Sequence, residues 1–312
     1  MKVCYLNVNS DRRLNQPLYS CYSEKYGPKK RVELLIELIN VNMEGNILTC
    51  LFEIDNYMNK ELEKLENCFI ITKPYNNDSF SFKFMIFVPL HQQNLISEIN
   101  HKPLTLSGNF INDTTRPKTD IDKKNDVEYM EETLGELFEK SFVHLVFNDT
   151  NIIITHFGIG YKQKLSQAQC LMNYTNNINN NLPLIIGGDF NAFDNNTNGS
   201  YMEQMNVFEN NGFKNMVDYN VSTFEPYPFD IRFMLNVEEQ KVYDKFILES
   251  RTSSNILELA NNFYNYCSNV KLNQVKPVAL DNIFIKNIDR LCEVKVIPNC
   301  CNSDHALLQL NF

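Results

Sequence analysis

Six apolar runs along the chain end in, or open on, side chains able to move protons or hold a hard cation. The run Lys2-Val3-Cys4-Tyr5-Leu6 delivers Asn7, Leu51-Phe52 delivers Glu53, and Thr155-His156 closes another. Gly187-Gly188 is followed by Asp189-Phe190-Asn191, Leu280 by Asp281-Asn282, and Ser303-Asp304-His305 stands near the C-terminus. Carboxylates, amides and imidazoles are the groups of general acid–base work and of oxygen-rich cation sites. At strand ends they point into a shared cleft while the strands hold them rigidly. Each taken alone has an ordinary structural reading: Asn7 as a turn former, Glu53 as a solvated acid, His156 as a core histidine, Asp281 as a cap. Gly188-Asp189-Phe190-Asn191 resists that reading, because a carboxylate and an amide two residues apart on a chain leaving a buried strand point the same way.

The elements that must position these groups follow from periodicity. Lys2–Leu6, Ile47–Glu53 and Phe80–Val88 read as strands, and Phe142–Phe147 with Asn151–Thr155 as a hairpin across Asn148-Asp149-Thr150. Lys30–Asn40 reads as a helix with Val32, Leu34, Leu35, Leu38 and Ile39 on one face, and Lys164–Asn180 as a second helix. Leu182–Ile186 is an apolar run that Gly187-Gly188 is expected to end, and Val278–Ile285, Val294–Pro298 and His305–Leu310 are later strands. Hairpins mixed with amphipathic helices imply two packed sheets with helices outside. Two segments read as insertions, about 91–140, charged and turn-rich, and about 230–272, mainly helical.

At 312 residues and 36.5 kDa, with 43% hydrophobic and 21% charged residues, the chain suits one large globular domain spanning 1–312. A net charge of −9 excludes non-specific coating of nucleic acid, which needs a broad basic surface. No run reaches signal-peptide or membrane-spanning length, so an intracellular protein without a membrane span is expected. Nine cysteines without a C-x-x-C pair read as free thiols, most of them buried, and adjacent Cys300 and Cys301 as small packed residues before a strand.

In order and placement these segments resemble the endonuclease/exonuclease/phosphatase superfamily, the deoxyribonuclease-I-like metal-dependent phosphoesterases. Gly188-Asp189-Phe190-Asn191 and Ser303-Asp304-His305 match its motifs unchanged. Thr155-His156-Phe157 is similar to Thr-His-Leu, Leu280-Asp281-Asn282-Ile283-Phe284 to Ile-Asp-Tyr-Ile-Phe, and Leu51-Phe52-Glu53 to Leu-Gln-Glu with Phe52 departing from Gln. Lys164, Gln167 and Leu171 resemble the helix before the Gly-Asp-Phe-Asn strand, and Thr223-Phe224 a Thr-Phe that precedes the penultimate motif. The series runs from position 2 to position 305 in family order.

The resemblance implies an α/β (α+β) four-layered sandwich, two packed mixed β-sheets flanked by helices. It implies Mg²⁺, with Mn²⁺ as a substitute, on Glu53 with Asn7 and Asp304 beside it or bridging through water. It further implies water activated by Asp189 and held with Asn191, His156 donating to a phosphate oxygen, and His305 oriented by Asp281. A carboxylate beside an imidazole favours its cationic form, which opposes negative charge developing on phosphate. Within the superfamily, the absence of Trp excludes the Pro-x-Trp-x-Asp-Arg motif of inositol-polyphosphate phosphatases. Ala192-Phe193-Asp194 departs from the Leu-Arg-Asp of the tyrosyl-DNA phosphodiesterase branch, and Thr155-His156 from the Tyr usual in abasic-site endonucleases. An intracellular nuclease or deadenylase-like phosphodiesterase acting on RNA or DNA is the expectation. Between Asp11 and Arg31 stand Arg12, Arg13, Lys25, Lys29, Lys30 and Arg31 against two acids, either a substrate-binding loop or an ordinary solvated one. Tyr19, Tyr22 and Tyr26 there either stack bases or pack the loop down. The alternatives are the same chemistry on a small or lipid phosphoester, and a silent binding protein, against which the intact motifs argue.

Overall fold

The computed structural model describes residues 1–9, 12–74, 82–104, 140–158, 161–178, 181–192, 200–218, 221–225, 227–229, 235–270 and 279–312. Two six-stranded mixed sheets form its centre. The first joins β1 (Lys2–Asn7), β2 (Ile47–Ile54), β3 (Cys68–Pro74), β4 (Lys83–Pro89), β11 (Glu293–Ile297) and β12 (Leu307–Asn311) in the order β11-β12-β1-β2-β4-β3. The second joins β5 (Ile96–Pro103), β6 (Ser141–Phe147), β7 (Thr150–His156), β8 (Leu184–Asp189), β9 (Lys214–Asn215) and β10 (Asp281–Lys286) in the order β5-β6-β7-β8-β10-β9. Each sheet holds one parallel pair, β1 with β2 and β7 with β8, and the remaining neighbours are antiparallel. Ligand sites in sheets with parallel strands lie beyond the carboxyl ends of those strands. Here those strands end at Asn7, at Ile54 with Glu53 just before it, at His156 and at Asp189.

Alternation sorts the side chains into layers. Val3, Tyr5, Cys50 and Phe52 of the first sheet meet Val143, Ile154, Ile185 and Ile283 of the second in the central core. Cys4, Leu6 and Leu51 point the other way, onto α2 (Pro28–Glu44) and α3 (Asn56–Leu62). Ile153, Ile186 and Phe284 point outward onto α4 (Tyr161–Asn176) and α5 (Ser200–Asn210). The four layers expected from the sequence are therefore present, each buried Val, Ile, Leu or Phe contributing about 1.5–3 kcal/mol. A side cluster of aromatics joins α1 (Ser20–Tyr26) to α6 (Val237–Glu249) and α7 (Ile256–Asn269), the helical stretch anticipated within 230–272.

Several expectations need correction. The glycines do not end β8, which runs through them to Asp189. A side chain at Gly187 would stand 2.4 Å from the Tyr5 ring, so this glycine lets the two sheets approach there. At Gly188, where φ is +150°, it would stand 1.9 Å from Thr155 O. The segment 91–140 is not wholly an insertion, because Ile96–Pro103 is β5, paired along its length with β6, while 105–139 lies outside the described residues. The β6–β7 hairpin turns on Asn148 and Asp149, both left-handed at φ 47° and 55°, the geometry of a two-residue type I′ loop. On α2 the buried face is Arg31, Val32, Leu35, Ile39, Asn42 and Met43, with Leu34 and Leu38 only half-buried. All nine cysteines are free, but only Cys4, Cys50, Cys68 and Cys267 are buried, and Cys170 and Cys292 are half-buried.

Candidate active site

Register alone places three of the predicted residues. His156 lies opposite Asp189 in the parallel β7–β8 pair, and Asp189 opposite Asp281 in the antiparallel β8–β10 pair. Two residues from the inward-facing Ile154, Gly187 and Ile283, all three point into the space between the sheets. Glu53 arrives there by an irregularity. Strict alternation after the inward Phe52 would send Glu53 toward the helices, but a bulge lies between Leu51 and Ile54, and Glu53 is left-handed at φ 60°. Ile54 then faces the helix layer again, and Phe52 and Glu53 both face the other sheet. A non-glycine residue held left-handed at a bulge is costly, and such strain concentrates at functional sites.

The side chains close a network across the two sheets. Asn7 Nδ2 donates to Asp189 Oδ2 at 3.0 Å, and Asn7 Oδ1 accepts from Asn9 N at 2.9 Å. Asn9 Nδ2 donates to Asp304 Oδ2 at 2.6 Å. His156 Nδ1 stands 3.4 Å from Glu53 Oε1, and its Nε2 3.6 Å from Asp189 Oδ2 and 3.3 Å from Asn191 Nδ2. His305 Nδ1 pairs with Asp281 Oδ2 at 2.8 Å, leaving Nε2 4.0 Å from Asp189 Oδ2. Supporting residues fix these groups. Ser303 Oγ donates to Asn7 O at 2.6 Å, Asp281 N donates to Thr223 Oγ1 at 2.9 Å, and Lys164 Nζ donates to Asn191 O at 2.6 Å. All eight predicted catalytic and metal residues, Asn7, Glu53, His156, Asp189, Asn191, Asp281, Asp304 and His305, are thus gathered in one buried polar site.

Burial governs its protonation. Desolvation, with Asp189 and Asp304 adding to it against Lys140 and His305, pushes Glu53 up to about 7. Desolvation also raises Asp304, and it holds His156 well below the usual imidazole value, helped by the Lys140 and His305 charges, so His156 is neutral. Burial alone would lower His305, but Asp281, Asp189 and Asp304 more than reverse it, and the imidazolium form is the stable one. Within the tight pair, the geometry supports a protonated His305 against an ionised Asp281.

The donor set suits a hard cation. Glu53, Asp304 and Asn7 offer oxygen, and Asp281 Oδ1 and Asp304 Oδ1 are buried without a hydrogen-bond partner. Asp189, Asp281 and His305 also hold ligating atoms within 4.8 Å of one another and could hold a metal ion. His305 Nδ1 and Asp281, however, already serve each other.

Three residues at the site carry roles that sequence reasoning missed. Asn9 bridges Asn7 to Asp304, Lys140 acts electrostatically on Glu53, Asp189 and His156, and Arg31 is an anchor. Expected as part of a substrate-binding loop, Arg31 is 1% exposed, donating to Val8 O at 2.6 Å and to Asn9 O and Tyr227 Oη. Lys29 and Lys30 are exposed, Lys30 pairing with Glu33 at 3.0 Å, while the side chains of Arg12 and Arg13 lie outside the described residues. Tyr19 and Tyr22 are buried against Phe229 and Phe263, so they pack the loop down. Phe52, in place of the usual Gln, is 1% exposed with its ring 6.2 Å from that of His156.

No family model matches the chain, and no curated protein matches it in sequence. Solved structures match it end to end. A functionally unknown conserved protein from Enterococcus faecalis V583 superposes with TM-score 0.56 at 12% identity, covering 100% of this chain and 98% of the other. D. rerio TDP2, complexed with single strand DNA product, gives 0.56 at 11% identity over 100% and 99%. An endonuclease/exonuclease/phosphatase from Bacteroides vulgatus gives 0.54 at 12% identity over 100% and 98%. The chain has the endonuclease/exonuclease/phosphatase fold. At this identity the likeness is one of fold. Among the described residues no helix is long and apolar enough to cross a membrane.

Proposed function

We propose that the protein is a Mg²⁺-dependent phosphodiesterase that hydrolyses nucleic acid by in-line attack of water. The observation that carries this reading is the union of Asn7, Glu53, Asp304 and His305 from one sheet and its loops with His156, Asp189, Asn191 and Asp281 from the other, His305 pairing with Asp281 between them. Glu53, Asn7 and Asp304 would hold the cation, which when bound neutralises charge on the phosphoryl oxygens and the leaving oxygen. Asp189, placed between Asn7 and the histidines, takes the proton of the attacking water, and Asn191 fixes that carboxylate through its backbone N–H at 2.7 Å. His305, cationic and held at Nδ1, presents its Nε2–H to the non-bridging oxygens. Neutral His156 adds one further donor, and Lys140 adds positive charge beside Glu53 and Asp189. The leaving oxygen, once the P–O bond breaks, takes its proton from solvent water.

Two structures of the same fold support a phosphoester substrate, D. rerio TDP2 with its single strand DNA product and a mannosyl-6-phosphatase from Bacteroides thetaiotaomicron VPI-5482. The latter gives TM-score 0.54 at 13% identity over 100% and 98% of the two chains. The burial of Arg31, Tyr19 and Tyr22 favours a second reading, the same chemistry on a small phosphoester, because it removes cation and stacking surface a long polyanion would use. One panel tests both. Bis-p-nitrophenyl phosphate, poly(A), single- and double-stranded DNA and a sugar phosphate are offered with Mg²⁺ or Mn²⁺. Turnover stopped by EDTA and lowered at least about a hundredfold by Asp189→Ala is expected. Absence of metal-dependent turnover on every substrate overturns the proposal, and turnover confined to small esters selects the second reading.

A further inference from the structure

Cys300 and Cys301 occupy the turn immediately before Ser303-Asp304-His305. Their Sγ atoms stand 3.8 Å apart, and both residues are half-buried rather than sealed in the core. The turn is unusual in its backbone. Asn299, Cys301 and Asn302 are all left-handed, at φ 54°, 53° and 56°. Asparagine tolerates that region, but cysteine does not, so Cys301 carries a cost of roughly 1–3 kcal/mol. In extended chain, neighbouring side chains point to opposite faces; this turn brings two adjacent thiols together at a partly open surface.

We infer that Cys300 and Cys301 form a second cation site, a vicinal dithiolate that takes a soft, thiophilic divalent ion of the Zn²⁺ class. The bite distance decides the ion class. With metal–sulfur bonds of about 2.3 Å meeting at the tetrahedral angle, two sulfurs stand about 3.8 Å apart. The free thiols already span that distance, so little rearrangement is needed. Thiolates select zinc-class ions over the Mg²⁺ that the oxygen-lined site prefers. On binding, two S–H bonds break, two S–metal bonds form, two protons pass to solvent, and water fills the remaining positions. The Cys301 contact to Leu34 O, at 3.5 Å, is exchanged for the metal bond. The contact between the two sulfurs lowers the Cys300 thiol against the opposing effect of burial, while that contact and burial raise Cys301, whose proton leaves only as the metal bond forms.

The site adjoins the catalytic segment without belonging to it. Ser303 N donates to Cys300 O at 3.0 Å, and the same Ser303 holds Asn7 O and accepts from His305 N at 3.1 Å. An ion on the thiols therefore stiffens the turn from which Asp304 and His305 extend. The inference needs no phosphoesterase activity and stands apart from the proposed reaction.

Cd²⁺ is the probe, because its charge-transfer absorption reports thiolate ligation alone. The reduced full chain is titrated in excess Mg²⁺, which occupies the oxygen site. Saturation at one Cd²⁺ per chain is expected, with two protons released, displacement by Zn²⁺, and loss of the signal in C300S and in C301S. A C21S/C170S/C292S variant, lacking the other half-buried thiols, retains it. Zn²⁺ affinity should fall at least about tenfold in either single variant, since losing a ligand costs no less than the 10–100-fold typical of changes around one. Should the serine variants fold poorly, wild-type protein gives the same answer through alkylation, where Zn²⁺ must protect Cys300 and Cys301 selectively from iodoacetamide. Signal surviving in C300S/C301S, no signal in fully reduced wild type, or no selective protection overturns the inference.

Discussion

Replacing Glu53 with glutamine is expected to stabilise the metal-free protein above neutral pH and to abolish its stabilisation by Mg²⁺. The Glu53 side chain is only 18% exposed, and desolvation with the nearby Asp189 and Asp304 pushes it up to about 7 from the ordinary 4.5. The folded value is raised, so this group's contribution to stability is fully present below 4.5 and is lost as pH rises through about 7. At pH 8 that gap, at about 1.4 kcal/mol per pH unit, amounts to about 3 kcal/mol of cost. Glutamine keeps the shape and removes the charge, but it also takes an anionic neighbour from Lys140, so a net gain of about 1–3 kcal/mol is expected. For a chain of this size that is a rise in Tm of about 2–6 °C in EDTA at pH 8, shrinking toward zero as pH falls to 4.5. Mg²⁺ at a hundred times its Kd stabilises the wild type by about 2.7 kcal/mol and the variant by far less, so the order of the two proteins narrows or reverses. Thermal denaturation followed by circular dichroism, with and without Mg²⁺, at pH 8 and pH 5, reads each quantity. A variant no more stable than wild type in EDTA at pH 8, or one that keeps the full Mg²⁺ shift, refutes the assignment of Glu53 as a strained, buried ligand.

Three further outcomes are expected. Asp281→Asn removes the strongest charge holding His305 protonated, so the alkaline limb of the kcat/KM profile should move to lower pH and kcat fall by about 10²–10⁴-fold, measured on bis-p-nitrophenyl phosphate. Gly188→Ala meets Thr155 O at 1.9 Å in a backbone region alanine disfavours, and the backbone alone costs roughly 1–3 kcal/mol; calorimetry should show Tm lowered by several degrees or failure to fold. Arg31→Lys cannot serve Val8 O, Asn9 O and Tyr227 Oη together, so denaturant unfolding should report a loss of about 1–3 kcal/mol, and Mg²⁺ titration a weaker metal with kcat at saturation little changed.

What the sequence makes legible follows from the regularity of strands. His156, Asp189 and Asp281 obey period two, so the apolar residues that lead up to them suffice to tell their strand ends and the face each one takes. Glu53 is legible as a site residue, but its path is not, because a bulge with a left-handed residue is invisible in Leu51-Phe52-Glu53-Ile54. Lys140 leaves a usable signal. With the Asn148-Asp149 turn located, counting back along the hairpin sets Phe142 against Thr155 and brings the residue before Ser141 beside the end of β7. Arg31 leaves one too, since it lies four residues before Leu35 and eight before Ile39 on the buried stripe of α2. Counting it as loop charge misses that a guanidinium on an apolar stripe must find buried acceptors.

The charges gathered at the site bear on why the proposed reaction would use a divalent ion rather than another basic residue. Glu53, Asp189, Asp281 and Asp304 bring four negative charges when ionised, and His305, Lys140 and Arg31 act on them with three positive ones. The remainder is one negative charge in a desolvated space, which by itself repels a phosphodiester carrying one more. A single divalent cation brings the assembly of site, substrate and metal to neutrality. A fourth basic residue would neutralise the empty site but leave the substrate's charge unmatched, and it would lock Glu53 in an ion pair. The overall −9 would thus be no obstacle to the proposed anionic substrate, because the attraction would be supplied where and when a cation binds.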